Sequence, residues 1–184
     1  MKNIEFIPKE FHDVELDLYD HKEYPCTPGY PEVFFESNII LINIPKKIIY
    51  KSCNVPPIIP LCAIFAISQK RALKYNHLST EVIYIKRVDQ KIIYSGEIVD
   101  PNLKYEHPIY PPNYYEEEEK REKLIKEAQT YSDEELDEGL IIGNAMNINL
   151  LEYVDIPLSS GKYEIYLSCC GLESNRAFVE IVIE

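Results

Sequence analysis

The amino-acid sequence predicts a mainly β protein that folds as an antiparallel β-sandwich with one helical insertion. Short runs rich in isoleucine, valine and tyrosine recur along the 184 residues and are separated by prolines and other turn residues. Near the C-terminus these runs alternate apolar and polar side chains, which is the period of a half-buried strand. We expect a single domain, in which residues 1–36 form an N-terminal extension and residues 113–138 form the insertion.

The first half of the chain predicts several short strands. The extension contains three short apolar pieces broken by prolines, which indicate one or two strands and a long turn-rich connection. The apolar run Ile39–Ile44 is stopped by Pro45, and Ile48–Tyr50 follows. Leu61–Ser68 is a further β-rich run, and the prolines that end at Pro60 restrict its start to a strand edge.

The remaining strands are predicted in pairs. Glu81–Val88 and Lys91–Val99 are separated by Asp89 and Gln90, a spacing that indicates a hairpin. Turn residues between Gly171 and Asn175 join the last two strands into an antiparallel pair. The C-terminal strands predicted by the pattern are Ala145–Val154, Lys162–Ser168 and Arg176–Ile183.

Residues 113–138 carry the clear helical signal. Asn113 can cap a helix, and the acidic residues that follow it complement the positive end of the helix dipole. Ser132 and Glu135 repeat the capping pattern before a short second helix that Gly139 can end. A thin apolar stripe at helical spacing indicates that the insertion lies on the sheet without a core of its own. The stripe consists of Leu124, Ala128 and Tyr131.

The segment Ser159–Ile165 resembles a signature of immunoglobulin-like and fibronectin-type sandwiches. Gly161 and Tyr163 stand as in the G-x-Y sequence that opens the penultimate strand of those domains, and the last strand is also similar. The resemblance implies that the Tyr163 hydroxyl ties back to the preceding corner. Ile165 stands where antibody domains have their second cysteine, and the chain has no tryptophan, so an antibody-type domain is excluded. The resemblance covers roughly residues 155–184 and implies architecture without an activity.

Charge is distributed unevenly along the chain. The formal net charge is −12, and residues 113–138 alone hold 11 acidic and 4 basic side chains. Phosphates of nucleic acids and anionic lipids repel such a chain, so we expect neither a nucleic-acid nor a membrane partner. A basic protein partner fits this charge better. The alternative is that the acidic runs are solvated surface that maintains solubility.

The five cysteines, at positions 26, 53, 62, 169 and 170, match neither a disulfide framework nor a C-x-x-C site. Met1–Pro8 lacks the features of a secretory signal. Both observations favour a reducing, cytoplasmic setting. Cys169 and Cys170 are adjacent at the end of a strand, so we expect one thiol to point inward and the other outward.

No motif for catalysis, metal binding or a cofactor is present in the sequence. The six glycines are too scattered for a phosphate-binding loop, and the histidines lack metal-ligand spacing. A zinc site assembled from His12, His21 and Cys26 is the one metal alternative, but a polar connector is the better interpretation. We therefore expect no metal, no cofactor and no enzyme, with a hydrolase using Cys169 or a scattered metal site as the least favoured reading.

The candidate partner-binding surface combines tyrosines with acidic residues at the start of the insertion. Tyrosine is common at protein interfaces because it supplies a large contact area with few rotatable bonds. The leading hypothesis is a non-enzymatic protein-binding module, in sharper form an immunity protein that neutralises a toxin. The alternative is a structural immunoglobulin-like module of a surface or appendage assembly, and the oligomeric state stays open. The candidate residues are Tyr110, Tyr114, Tyr115, Glu116, Glu117, Glu118, Glu119 and Glu122.

Overall fold

Ten strands and three α-helices make up the part of the chain that the structure, a computed structural model, describes: residues 4–16, 23–32, 38–51, 57–75, 81–99 and 114–184. The strands are β1 (Ile4–Phe6), β2 (Ile39–Asn43), β3 (Lys47–Tyr50), β4 (Pro60–Ser68), β5 (Glu81–Arg87), β6 (Ile92–Ile98), β7 (Ile141–Asn149), β8 (Gly161–Cys169), β9 (Leu172–Glu173) and β10 (Ala177–Ile183). The helices are α1 (Gln69–Lys74), α2 (Tyr114–Ala128) and α3 (Asp133–Leu136), and short 3-10 turns cover Lys9–Phe11 and Leu150–Glu152.

The strands form two sheets, so the prediction of a mainly β fold is confirmed. The large sheet has the order β1-β3-β10-β8-β5-β6, with β9 paired to β8, and the small sheet has the order β2-β4-β7. The pairing of β3 with β10 is parallel, which makes the large sheet mixed, while the other pairings of the described strands are antiparallel as predicted. After β2 the chain crosses from the small sheet to the large sheet, where β3 runs parallel to β10. No local sequence pattern specifies this crossing.

The core lies between the two sheets and follows the period-two pattern. On β8 the side chains of Tyr163, Ile165 and Leu167 are buried, and on β10 those of Val179 and Ile181 are buried, as predicted. The small sheet contributes the facing layer from alternate positions of its strands. That layer includes Ile40, Ile42, Leu61, Ala63, Phe65, Ile67, Met146 and Ile148.

β4 is the central strand of the small sheet, and all nine of its residues are buried. Pro60 is its first residue and is paired only with β7, because β2 reaches no further than Cys62. A proline, which has no N–H to donate, is tolerated there because one side of the strand has no partner at that position. The predicted hairpin of β5 and β6 is also confirmed, and Lys91 closes its turn with a φ of 56°.

One strand of the small sheet has other bounds than predicted, and one helix beside it was not predicted. The strand expected over Ala145–Val154 is β7, which begins at Ile141 and ends at Asn149. Gly143 and Asn144 disfavour a strand, but pairing along the whole length of β4 outweighs that propensity. Helix α1 was not anticipated, because a six-residue helix directly after an apolar strand leaves little periodic signal.

Candidate partner-binding surface

The end of β4 is the place where the helical part joins the sandwich. Ser68 is fully buried, and its hydroxyl accepts a hydrogen bond from the Arg71 amide at 3.1 Å, which caps α1. The same hydroxyl donates to the carbonyl of Leu136 in α3. The Gln69 amide donates to the Leu140 carbonyl at 2.8 Å. One residue therefore ends a strand, begins a helix and holds the insertion.

Arg71 is the charged anchor of this junction. Its side chain is 9% exposed, and its guanidinium donates to Asp137 Oδ1 at 2.6 Å and to the Cys170 carbonyl at 3.4 Å. Asn38 donates to the same Asp137 oxygen at 2.9 Å and accepts from the Ser68 amide. A buried guanidinium without such partners would be strongly unfavourable, so this network specifies how the insertion sits.

Helix α2 packs on α1, which corrects the prediction that the insertion lies directly on the sheet. Ala128 at the end of α2 and Leu136 in α3 are both fully buried. Two side chains add hydrogen bonds to backbone carbonyls: Lys74 Nζ donates to the Tyr131 carbonyl at 2.9 Å, and Gln129 Nε2 donates to the Lys74 carbonyl at 2.7 Å. The apolar stripe is too thin to cover a sheet face, since Leu124 remains 45% exposed.

Helix α3 is held by the predicted capping box. The Glu135 amide donates to the Ser132 hydroxyl at 3.3 Å, and the Ser132 amide donates to the Glu135 carboxylate at 2.8 Å. Hydrogen bonds from Ser132 lower the pKa of Glu135 below its usual value of 4.5. Burial raises the pKa of Tyr131, and its hydrogen bond to Glu127 adds to that shift. The helix ends at Leu136 with Asp137 as its C-cap, earlier than the predicted end at Gly139, which follows in a left-handed conformation with a φ of 98°.

The structure describes only part of the predicted surface. Glu118, Glu119 and Glu122 are exposed on α2, and Glu122 lies 3.7 Å from Lys126 one turn further on. Tyr114, Tyr115, Glu116 and Glu117 form the first turn of α2, where only the backbone is described, and Tyr110 lies outside the described residues.

Charge on the insertion is segregated. Four basic residues occupy the middle and end of α2, while acidic residues concentrate in its first turns and in α3. Asp137 binds Arg71, and Glu138 lies 3.5 Å from Lys70. Two acids directly after α3 are therefore paired with basic residues of α1.

Cys26 and Cys62 form a disulfide, so the expectation of unpaired cysteines is wrong for these two. Cys62 points to the outer face of β4, and Cys26 reaches it from the N-terminal extension 36 residues earlier. Phe11 packs beside them, so the bond ties the extension onto the small sheet. The pairing was missed because it joins an irregular segment to a strand, and spacing along the chain carries no sign of that contact.

Cys169 and Cys170 are both buried thiols, with 3.5 Å between their Sγ atoms. One inward and one outward side chain was expected, but alternation holds only while the backbone is extended. Cys170 lies beyond the end of β8 with a φ of 51°, which turns its side chain back inward. The hydrogen bond between the two thiols and their burial raise the pKa of Cys169, whereas that hydrogen bond lowers the pKa of Cys170.

The tyrosine tie implied by the immunoglobulin-like resemblance is present as a local contact. The Tyr163 hydroxyl donates to the Ser159 carbonyl at 3.0 Å, and Tyr163 is almost completely buried. Arg87 closes the same corner, donating to the Ser159 hydroxyl and to Asp89 at 2.8 Å. Hydrogen bonding to Asp89 raises the pKa of Arg87 and lowers that of Asp89.

The described residues form surface cavities but no group of side chains that could hold a metal ion. No three His, Cys, Asp or Glu side chains in the described ranges converge to hold a metal ion. Cys26 is a disulfide partner and His12 is exposed, while His21 lies outside the described residues. Two open surface cavities, of about 710 and 860 Å³, are lined by neither cysteine nor histidine. Among the described helices none has the length and apolarity to cross a membrane.

A second surface, which sequence reasoning missed, lies on the outer face of the large sheet. The rings of Tyr84 and Tyr166 stack at 4.8 Å between centroids, and the guanidinium of Arg176 lies 3.4 Å from the centroid of Tyr166. Strand alternation could have found it, because Tyr166 falls between the inward-facing residues of β8.

Comparison of the chain with protein-family models, with curated proteins and with solved structures gives no match.

Proposed function

We propose that the chain is a non-enzymatic protein-binding module that presents its helical insertion to a basic protein partner. The strongest support is that α2 and α3 are fixed to the sandwich by buried residues. The buried Arg71, paired with Asp137, and the fully buried Leu136 fasten the insertion to the sandwich, while Glu118, Glu119 and Glu122 stay exposed. A binding surface that is ordered before it meets its partner loses less entropy on binding.

Charge supports a basic partner. With a formal net charge of −12, the chain attracts basic proteins at long range, and rim charges mainly raise the association rate. The sharper form of the proposal is an immunity protein that covers a toxin by shape and negative charge. Coexpression with the product of the adjacent gene tests it: we expect a complex and protection of the cell, and the absence of both contradicts the proposal.

Charge reversal tests the surface itself. We expect the double variant E119K/E122K to bind the partner about thirtyfold more weakly, because each reversed rim charge contributes roughly 1 kcal/mol. The matched control is E152K/D155K, which reverses two charges at exposed residues beyond the far end of β7, about 27 Å along the strand. Equal loss in both variants would assign the effect to net charge instead of to α2.

One observation favours a second candidate, a structural immunoglobulin-like module of a surface or appendage assembly. The Cys26–Cys62 disulfide is of a kind that persists in oxidising compartments. Alkylation of the protein taken directly from cells, followed by mass spectrometry, separates the two candidates. Oxidised Cys26 and Cys62 in an envelope fraction favour the structural module, whereas free thiols in the cytoplasmic fraction favour the immunity protein.

A further inference from the structure

Among the described strands, β6 stands at one edge of the large sheet. It pairs with β5 along all seven of its residues without a register shift, and no other described strand pairs with its second edge. Ile92 is 42% exposed and Ile93 is 57% exposed. Edge strands are usually protected by prolines, bulges or inward charges, and β6 has neither a proline nor a bulge.

The charged residues on either side of this edge are arranged symmetrically. Lys91 precedes the strand and Glu97 lies near its end, and both side chains are exposed without an ion pair to any described residue. Tyr94 stands midway between them. In an antiparallel pairing of two identical strands about Tyr94, each Ile93 lies opposite Ser95 of the second copy. Lys91, in the turn that precedes β6, then comes beside Glu97 of the second copy.

We propose that two copies of this chain associate through their β6 edges as a two-fold symmetric antiparallel pair. The two large sheets then become one continuous sheet. Opposite charges at facing positions stabilise such a pair, and an isologous interface uses each ion pair twice. This site is separate from the insertion and does not depend on the proposed function.

The backbone of β6 is held in place from the inside, which suits an edge that recruits another strand. Gly96 packs so closely on the Tyr153 carbonyl that a Cβ there would lie 1.9 Å from its oxygen. Tyr94 packs against the core from the same face. A strand that is already straight and ordered loses little entropy when it pairs.

Sedimentation velocity of the full chain over a concentration series tests the proposal. The ionic strength is set to about 0.15 M, where the Debye length is about 8 Å, so that the repulsion between two acidic chains is screened. We expect a monomer–dimer equilibrium. The variants K91E and E97K should each weaken it about tenfold, because each places like charges at two symmetry-related positions.

Mixing the two variants gives the decisive result. A K91E chain and an E97K chain together place opposite charges at both facing positions, so we expect the equimolar mixture to recover the dimer. The variant E10K changes an exposed residue beside Phe11, on the segment that packs against the outer face of the small sheet, and should dimerise like the unmodified chain. A monomer at every concentration overturns the proposal, as does a dimer that K91E and E97K leave unchanged or a mixture that fails to associate.

Discussion

Substitution of Gly96 by alanine tests the close packing of β6 against the backbone of Tyr153. An added Cβ would lie 1.9 Å from the Tyr153 oxygen and 2.7 Å from its carbonyl carbon, where ordinary contact begins at about 3.4 Å. The opposing group is backbone, so it cannot swing aside as a flexible side chain does. The segment around Tyr153 must move by roughly 1.5 Å.

That movement breaks identifiable interactions. The amides of Tyr153 and Val154 both donate to the Leu150 carbonyl at 3.1 Å, and Val154 is buried in the core. Overpacking costs about 1–3 kcal/mol, and the two hydrogen bonds contribute about 1 kcal/mol each. We therefore expect G96A to lower the free energy of unfolding by about 3–5 kcal/mol and the midpoint temperature by roughly 10 °C.

Urea unfolding followed by circular dichroism measures this change, because the chain contains no tryptophan to report by fluorescence. The matched control is G29A, at a glycine with no atom within 4 Å of the added Cβ. We expect its free energy of unfolding to change by less than about 1 kcal/mol. If G96A unfolds at the same urea concentration as G29A, the close contact between β6 and Tyr153 is wrong.

Three further predictions concern the disulfide, the insertion and its cap. Removing the Cys26–Cys62 bond as C26A/C62A should lower the free energy of unfolding by about 4 kcal/mol on the chain-entropy model. A reductant should then no longer change the urea midpoint. A midpoint that is still sensitive to reductant would contradict this prediction. L136A should lower the free energy of unfolding in urea by about 2–5 kcal/mol, because it leaves a cavity at a fully buried site. The control L140A, at an exposed leucine, should change it little. Equal losses in the two variants would refute the anchoring role of Leu136. Because the folded pKa of Glu135 is lowered, the stability it contributes is present above its unfolded pKa, near 4.5, and is lost as pH falls through the lower folded value. Between about pH 5 and 3 the urea midpoint of E135Q should therefore fall less steeply than that of the unmodified chain. An identical slope for the two proteins would refute the linkage.

Local patterns predicted those parts of the fold that local physics controls. The alternation in β8 and β10 reflects burial of every second side chain, and it holds because a strand exposes its two faces to different surroundings. The hairpin of β5 and β6 and the capping box at Ser132 follow from interactions within a few residues. The same is true of the Tyr163 tie, which spans four residues.

Contacts between distant segments were decided by the tertiary structure. The parallel pairing of β3 with β10, the Cys26–Cys62 bond and the Arg71–Asp137 anchor each join residues far apart in the chain. Such contacts depend on which surfaces meet after the sheets have packed, and a one-dimensional pattern of polar and apolar residues does not encode that choice. The composition and periodicity of the chain therefore specified its strands and their inward faces, while the packing of the two sheets decided where the acidic insertion stands and which of the described strands lie at the sheet edges.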